Sequence, residues 1–310
     1  MPFFPGRRRV GAQPPRPRRT WVLGGGGARG AAQVGVLLAL FESGVEPPAR
    51  LVGVSVGALN GAMLAAYPSA AGAAMLRELW FSRLAQDVFR LHPLGIVLNR
   101  LRGDSLAAMP GSNVARLIER AVQLIGIDTF ERLRVPLAVL ATDIAAGRAQ
   151  VFRHGPLLPA LRASTAIPGV FPAVEIEGRG TYLDGGIVDN LPIDVALADG
   201  AQEVLGIDLM AGAELERPPS TWAELMGRTL QLSLHQRMLA DFERLRRHGR
   251  VTVLCPVLGP GDGVDMEPRH VESLIERTRQ ATLRFMAERG RRVFRESGVH
   301  RIALDPAFGD

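Results

Sequence analysis

Three stretches of this chain carry residue types that together suit acyl-transfer chemistry. Gly53-Val-Ser-Val-Gly57 is a G-x-S-x-G pattern lying between an apolar run and an Ala-rich run. In an α/β protein it sets a serine, here Ser55, on a tight strand-to-helix turn. Gly53 and Gly57 stand where side chains would collide with the neighbouring strand or helix. The helix that follows directs its N-terminal amides at the same point. The same five residues also suit nothing more than close helix–strand packing, so their partners have to decide. Gly25-Gly-Gly-Ala-Arg-Gly30 and Asp184-Gly-Gly186 are the candidate partners.

A serine attacking a carbonyl needs a group to take its proton, donors for the developing oxyanion and a water-poor site. Consecutive glycines let backbone amides turn toward a ligand, which makes Gly25, Gly26, Gly27, Ala28 and Gly30 an oxyanion loop, with Arg29 beside it to hold the loop or attract an anion. The loop also spells G-x-G-x-x-G, a dinucleotide fingerprint. That reading requires an acid at the end of the next strand, and Gly53-Val-Ser55 supplies none. For the base, His235, His248, His270 and His300 lie in or beside charged, helix-like stretches and read as surface residues. Asp184 is better placed, because it follows an apolar strand and Gly185 and Gly186 let the chain carry its carboxylate into a crowded site. Partial desolvation would raise its basicity. A plain Asp-Gly-Gly turn is the alternative.

In this order, on strand ends of one sheet, the motifs resemble those of the patatin-like phospholipase family. Gly25–Gly30 looks like its oxyanion loop, Gly53–Gly57 its serine turn and Asp184–Gly186 its aspartate motif. Ala163-Ser-Thr-Ala-Ile-Pro-Gly-Val-Phe-Pro172 and Gly186-Ile-Val-Asp-Asn-Leu-Pro192 are similar to stretches flanking the site in bacterial members. The resemblance covers about Trp21 to Asp208. It implies a Ser55–Asp184 dyad without histidine, hydrolysis of phospholipid or lysophospholipid acyl esters, and no metal or other cofactor. Two other readings remain open: an α/β-hydrolase-type esterase with a histidine base, and a non-catalytic lipid- or nucleotide-binding module.

The elements that must position these groups can be read from periodicity. Thr20–Leu23 is a strand running into the glycine loop, and Ala31–Ser43 is a helix stopped at Gly44. Ala49–Gly53 is a second strand, followed by the serine turn and a helix to about Ala66. Two strand–loop–helix units argue for a parallel sheet with helices on its faces. The predicted fold is therefore α/β, a single-domain three-layer α/β/α arrangement with a mostly parallel central sheet, patatin-like in kind. Val135–Thr142 reads as a buried strand with Gln150–Phe152 as its hairpin partner, and Thr181–Leu183 and Glu203–Asp208 as further strands. Trp222–Arg247 reads as a long helix, Arg250–Leu254 as a last strand and Val271–Ser297 as a closing helix. The broken pattern between Ala70 and Ile125 reads as an insertion, its apolar part from Leu76 to Met109 suited to acyl-chain selection. The predicted organisation is a basic tail over 1–19 and one domain over 20–310. Its motif-bearing core spans 21–208 and a helical extension 209–310.

Composition bounds the rest. The chain has 310 residues, 47% hydrophobic and 22% charged, with the profile of a globular protein. Its one cysteine, Cys255, excludes an intrachain disulfide framework. Every basic residue is arginine, and six of the 37 fall before residue 20; without them acids and bases balance at 31 each. The high net charge is therefore no sign of a nucleic-acid partner. The expected partner is a phospholipid or lysophospholipid substrate, with peripheral membrane contact at most, and the oligomeric state is left open. The Arg- and Pro-rich start offers no signal-peptide core. The uncharged span Leu51–Leu76, rich in Ala and Gly, fits a strand, turn and helix better than a bilayer span. The predicted location is cytoplasmic.

Overall fold

The sheet begins with β1 (Thr20–Leu23), whose side chains alternate between two hydrophobic layers: Trp21 and Leu23 face one, Val22 the other. The computed structural model describes residues 19–82, 112–213, 215, 217–259, 261–262 and 267–305. The predicted basic tail up to residue 18, and residues 83–111 within the predicted insertion Ala70–Ile125, lie outside the described residues.

From β1 the chain passes through the glycine loop into α1 (Gly30–Glu42), then β2 (Arg50–Val54), α2 (Val56–Ala66) and α3 (Ala70–Phe81). The uncharged span Leu51–Leu76 thus comprises β2, the serine turn, α2 and the first half of α3. After α4 (Ser112–Ile125) come β3 (Leu137–Asp143) and its antiparallel partner β4 (Arg148–Phe152). Then follow α5 (Leu157–Ser164), the short β5 (Val174–Ile176), β6 (Gly180–Asp184), α6 (Ile193–Ala198) and β7 (Glu203–Ile207). The chain closes with α7 (Trp222–Leu245), β8 (Arg250–Val257), α8 (Pro268–Arg289) and β9 (Gly298–Ala303).

Strands β3, β2, β1, β7, β8 and β9 lie side by side and parallel, and β4, β5 and β6 add the antiparallel part. Helices α1, α2, α3 and α8 pack on the Trp21/Leu23 face; α6 and α7 cover the Val22 face through Ile193, Ala196, Met238, Phe242 and Leu245. This is the three-layer α/β/α arrangement read from the sequence. Almost every residue of α1 and α2 is buried, as helices apolar all round must be.

The stretch 209–310, expected to be a helical extension with one strand at Arg250–Leu254, carries that strand as the longer β8 and also adds β9 to the sheet. The edge strand β9 escaped notice because only Ile302 of its six residues is buried, so it carries no clear apolar signature. The closing helix ends early, at Arg289, because Gly290 takes a positive φ of 58° that terminates it. Arg19, expected to close the basic tail, is anchored: it pairs with Glu203 at 3.1 Å and covers the Phe294 ring.

One feature of the topology decides where chemistry sits. Strand β3 has only two edges, yet pairs with β2, β4 and β6. Its residues Val139 and Leu140 serve both β2 and β4, and Ala141 to Asp143 serve both β4 and β6. Strands β2 and β6 therefore share one edge of β3, end to end and running toward each other. Strand β2 stops at Val54, opposite Leu140, and β6 stops at Asp184, opposite Ala141. Two chain segments far apart in sequence meet head on.

Candidate active site

Ser55 follows β2 directly and has φ 54° and ψ −128°, the one positive φ of a non-glycine residue among the described residues. Such a conformation costs roughly 1–3 kcal/mol and persists only where its surroundings impose it. Here they do. The Ser55 amide donates to Ser164 Oγ at 2.9 Å, and that hydroxyl donates to the Leu140 carbonyl at 2.7 Å. The Ser55 carbonyl accepts from the Ala58 amide at 2.9 Å as α2 begins. Gly53 and Gly57 permit the turn: a Cβ on Gly53 would sit 2.6 Å from the Ala58 Cα, and one on Gly57 would strike the Leu23 carbonyl.

Asp184, at the end of β6, meets the Ser55 turn at the end of β2; its carboxylate is 6% exposed, and the Ser55 hydroxyl is the donor that opposes the effect of its burial. Burial pushes this carboxyl up to about 6, against the opposing hydrogen bonds from Ser55 and the Gly186 amide, the latter at 2.8 Å. The backbone is fixed too: the Asp184 amide donates to the Ala166 carbonyl, and Thr142 Oγ1 donates to the Asp184 carbonyl, each at 2.9 Å. Near neutral pH this carboxylate is mostly ionised yet more basic than an exposed one.

The glycine loop lies on the other side. Gly24 and Gly25 donate their amides to the Ile207 and Asn190 carbonyls, and Arg29 donates to the Gly26 carbonyl. The Gly30 amide turns back toward the carbonyls of Gly27 and Ala28. The amides of Gly26 and Gly27 make no such internal bond among the described residues. The amides of Gly25, Arg29 and Gly30 are thus engaged within the protein. Gly27 has φ 56°, which is what requires glycine there, because a Cβ would meet nothing within 4 Å. Arg29 is half-buried; burial lowers its guanidinium pKa, with Asp262 and Asp208 opposing and Arg228 adding to the effect, and its Nη1 lies 3.9 Å from Met210 Sδ.

Two supporting sets were not recognised in the sequence. Asn190, 6% exposed, joins the glycine loop to the Asp184 turn: its side-chain amide donates to the Gly25 carbonyl at 3.2 Å and its Oδ1 fills the space beside Gly25 and Gly186. Behind the loop, Trp80 Nε1 donates to Asn60 Oδ1 at 3.2 Å. Asn60 Nδ2 donates to Gln33 Oε1 and the Gly30 carbonyl, and Gln33 Nε2 donates to the Gly24 carbonyl. The signal was available: a lone amide in each of two helices otherwise apolar all round needs a partner.

The histidines divide. His248 and His270 are exposed, as expected. His235 is not: it is 8% exposed, and its Nδ1 lies 2.8 Å from Oδ2 of the buried Asp208, just past β7. Its helical context suggested a surface residue, but it falls on the face of α7 that turns to the sheet. His300 is partly buried against Phe285. Among the described residues no histidine hydrogen-bonds Ser55 or Asp184, and none of the described helices is long and apolar enough to cross a membrane.

A family model described as patatin-like phospholipase matches residues 21–197, and the chain belongs to that family. An uncharacterized NTE family protein of Mycobacterium tuberculosis is 33% identical over 218 residues, 69% of this chain and 56% of that protein. Human patatin-like phospholipase domain-containing protein 6 is 36% identical over 205 residues, 66% of this chain and 14% of that protein. The chain thus matches about half the length of the mycobacterial relative and about a seventh of the human one. Among solved structures, VipD from Legionella pneumophila aligns with a TM-score of 0.45 at 13% identity, covering 88% of this chain and 67% of that one.

Proposed function

We propose that this protein is a serine acyl hydrolase acting on the acyl esters of phospholipids or lysophospholipids. The observation that carries the reading is Ser55, on a strained turn at the end of β2, meeting head on the buried Asp184 carboxylate at the end of β6, whose pKa burial raises to about 6. Family membership supports the lipid ester as substrate class.

Ser55 Oγ attacks the ester carbonyl carbon while Asp184 takes its proton, and the carbonyl oxygen becomes an oxyanion received by the amides of Gly26 and Gly27. One such donor typically contributes about 3 kcal/mol to the transition state. As the tetrahedral intermediate collapses, Asp184 returns the proton to the leaving alcohol and an acyl-Ser55 ester remains. Water, deprotonated by Asp184, then attacks that ester and releases the fatty acid. Serine and base act directly on each other, so no histidine is required. Arg29, with no carboxylate in ion-pair contact among the described residues, offers a positive charge beside the loop.

Incubation with a mixed lipid panel and mass spectrometry of the products tests the reading, with Ser55→Ala as the blank. Fatty acid released only by the unmodified chain is the expected result. Turnover no greater than the blank sinks the hydrolase, and a fluorophosphonate probe that fails to label Ser55 would favour a binding module instead.

A further inference from the structure

Helix α7 has two unlike halves. Its second half is core: Met238, Phe242 and Leu245 pack with Val22, Val204 and Val251 beneath the sheet. From Trp222 to Ser233 only Gln231 is buried among the residues described. The exposed side chains are nevertheless large and apolar: Trp222 is 76% exposed, Leu230 57%, Leu225 52%, and Met226 and Leu232 are similar. At about 100° per residue these five span an arc of about 160° directed away from the Gln231, His235 and Phe242 side that meets the body. A water-facing helix surface is normally polar, and a contiguous apolar patch on one marks a contact with something else.

Topology puts this patch beside the chemistry. Helix α7 starts on the side of the sheet where β7 ends and runs back to β8. Its 24 residues span about 36 Å, against about 17 Å for the five residues of β7. The first half therefore projects past the strand ends that carry the glycine loop and Ser55. Contacts fix it there. Arg228 and Gln231 lie against Gly212, two residues beyond Met210, whose sulfur touches Arg29, and His235 holds Asp208. Ile187, three residues after Asp184, is another exposed apolar side chain near the site.

The chemistry of the patch selects its occupant. A tryptophan and a methionine among leucines, with no acidic residue from Leu225 to Ala240 and with Arg228 and Arg237 along the same stretch, is the pattern of a helix lying in a lipid–water interface. Glu224, the one acid at its start, is held by Arg217. We propose that the N-terminal half of α7 is the surface by which this protein docks onto a phospholipid bilayer, bringing the glycine loop and Ser55 to the lipid. The proposal rests on the lipid-hydrolase reading for its purpose, but docking is measurable without turnover.

The test uses the full chain carrying Ser55→Ala, with phosphatidylcholine vesicles and phosphatidylcholine–phosphatidylglycerol vesicles as probes. Trp21 and Trp80 are buried, so Trp222 is the exposed one of the three tryptophans and reports the docking. Its emission should shift to the blue on adding vesicles and be quenched by brominated lipid. A Leu225→Gln, Leu230→Gln variant should float with vesicles at least about tenfold more weakly, since each lost apolar contact of this size is worth roughly a factor of ten. In an otherwise unmodified chain the same pair should leave hydrolysis of a soluble short-chain ester within about twofold, because neither side chain touches the dyad. Equal flotation of parent and variant, no flotation with either vesicle, or a switch of the pair from dimer to monomer in place of lost flotation each overturns the docking surface. If the soluble ester is not hydrolysed even by the unmodified chain, the hydrolase reading fails instead, and the flotation and quenching results still decide the docking.

Discussion

Asn190 grips Gly25 from both sides. Its backbone carbonyl accepts the Gly25 amide at 3.2 Å, and its side-chain amide donates to the Gly25 carbonyl at 3.2 Å. Both polar groups of Gly25 are thereby engaged, and the amides of Gly26 and Gly27 that follow are the donors proposed for the oxyanion. Asn190→Ala should therefore act as a positioning change. We expect kcat to fall about a hundredfold with KM little altered, since loosening an oxyanion donor by a fraction of an ångström weakens the transition state rather than the ground state. Stability should drop by about 1–2 kcal/mol for the lost buried hydrogen bond. Steady-state kinetics with a soluble ester, beside a urea titration, separate the two effects. A rise in KM at constant kcat would assign Asn190 to substrate binding.

The Asp184 carboxyl sets two opposite pH dependences. As the proposed base it must be ionised, so kcat/KM should fall tenfold per pH unit below about 6. Stability runs the other way. A carboxyl raised from 3.8 to about 6 binds more protons folded than unfolded between those values, so ionising it destabilises the fold as pH rises through that window. The cost is at most about 3 kcal/mol. Asp184→Asn should then be inactive yet more stable than the parent at pH 7, with the difference vanishing below about pH 4. Thermal unfolding of the two proteins side by side checks it. The comparison matters because burial and the facing Asp194 also push Asp189 up to about 7, and that contribution cancels between parent and variant.

The Ser55 turn leans on Ser164, so Ser164→Ala makes a sharp case. It removes the acceptor of the buried Ser55 amide and exposes the Leu140 carbonyl to the same loss. A stranded buried donor costs about 1–3 kcal/mol, and the strained φ of Ser55 would relax. Activity should fall at least tenfold while fluorophosphonate labelling slows in parallel, because the nucleophile itself is displaced. Unchanged labelling would mean that the turn holds its shape without Ser164.

Much of this was legible in the sequence, and the failures have physical causes. The central strands showed because a run such as Leu137–Thr142 is buried on both faces and reads as continuous apolar sequence. The three motifs showed because glycine, serine and aspartate at turns are local signals. The meeting of Ser55 with Asp184 depends instead on β2 and β6 sharing an edge of β3, which no window of sequence contains. Asn190, Gln33 and Asn60 were missed for a similar reason: each acts through a partner from another element. His235 was misread because α7 is polar and apolar by turns along its length, so periodicity alone gave no core face.

That misreading supplies the test that separates the two hydrolase mechanisms. His235 and Asp208 form a buried pair beside the glycine loop, a pairing that in another fold would orient a catalytic histidine. Here the imidazole faces Asp208 from α7, while the Ser55 turn meets Asp184. His235→Ala should thus behave as a broken buried pair. Breaking such a pair costs about 3–5 kcal/mol when it leaves one charge uncompensated. Soluble-ester activity of the fraction that remains folded, measured at low temperature, should stay within about tenfold of the parent, whereas Asp184→Asn should lose at least a thousandfold. If His235→Ala were instead silent in stability but inactive, and Asp184→Asn kept turnover, the proton would be going to histidine.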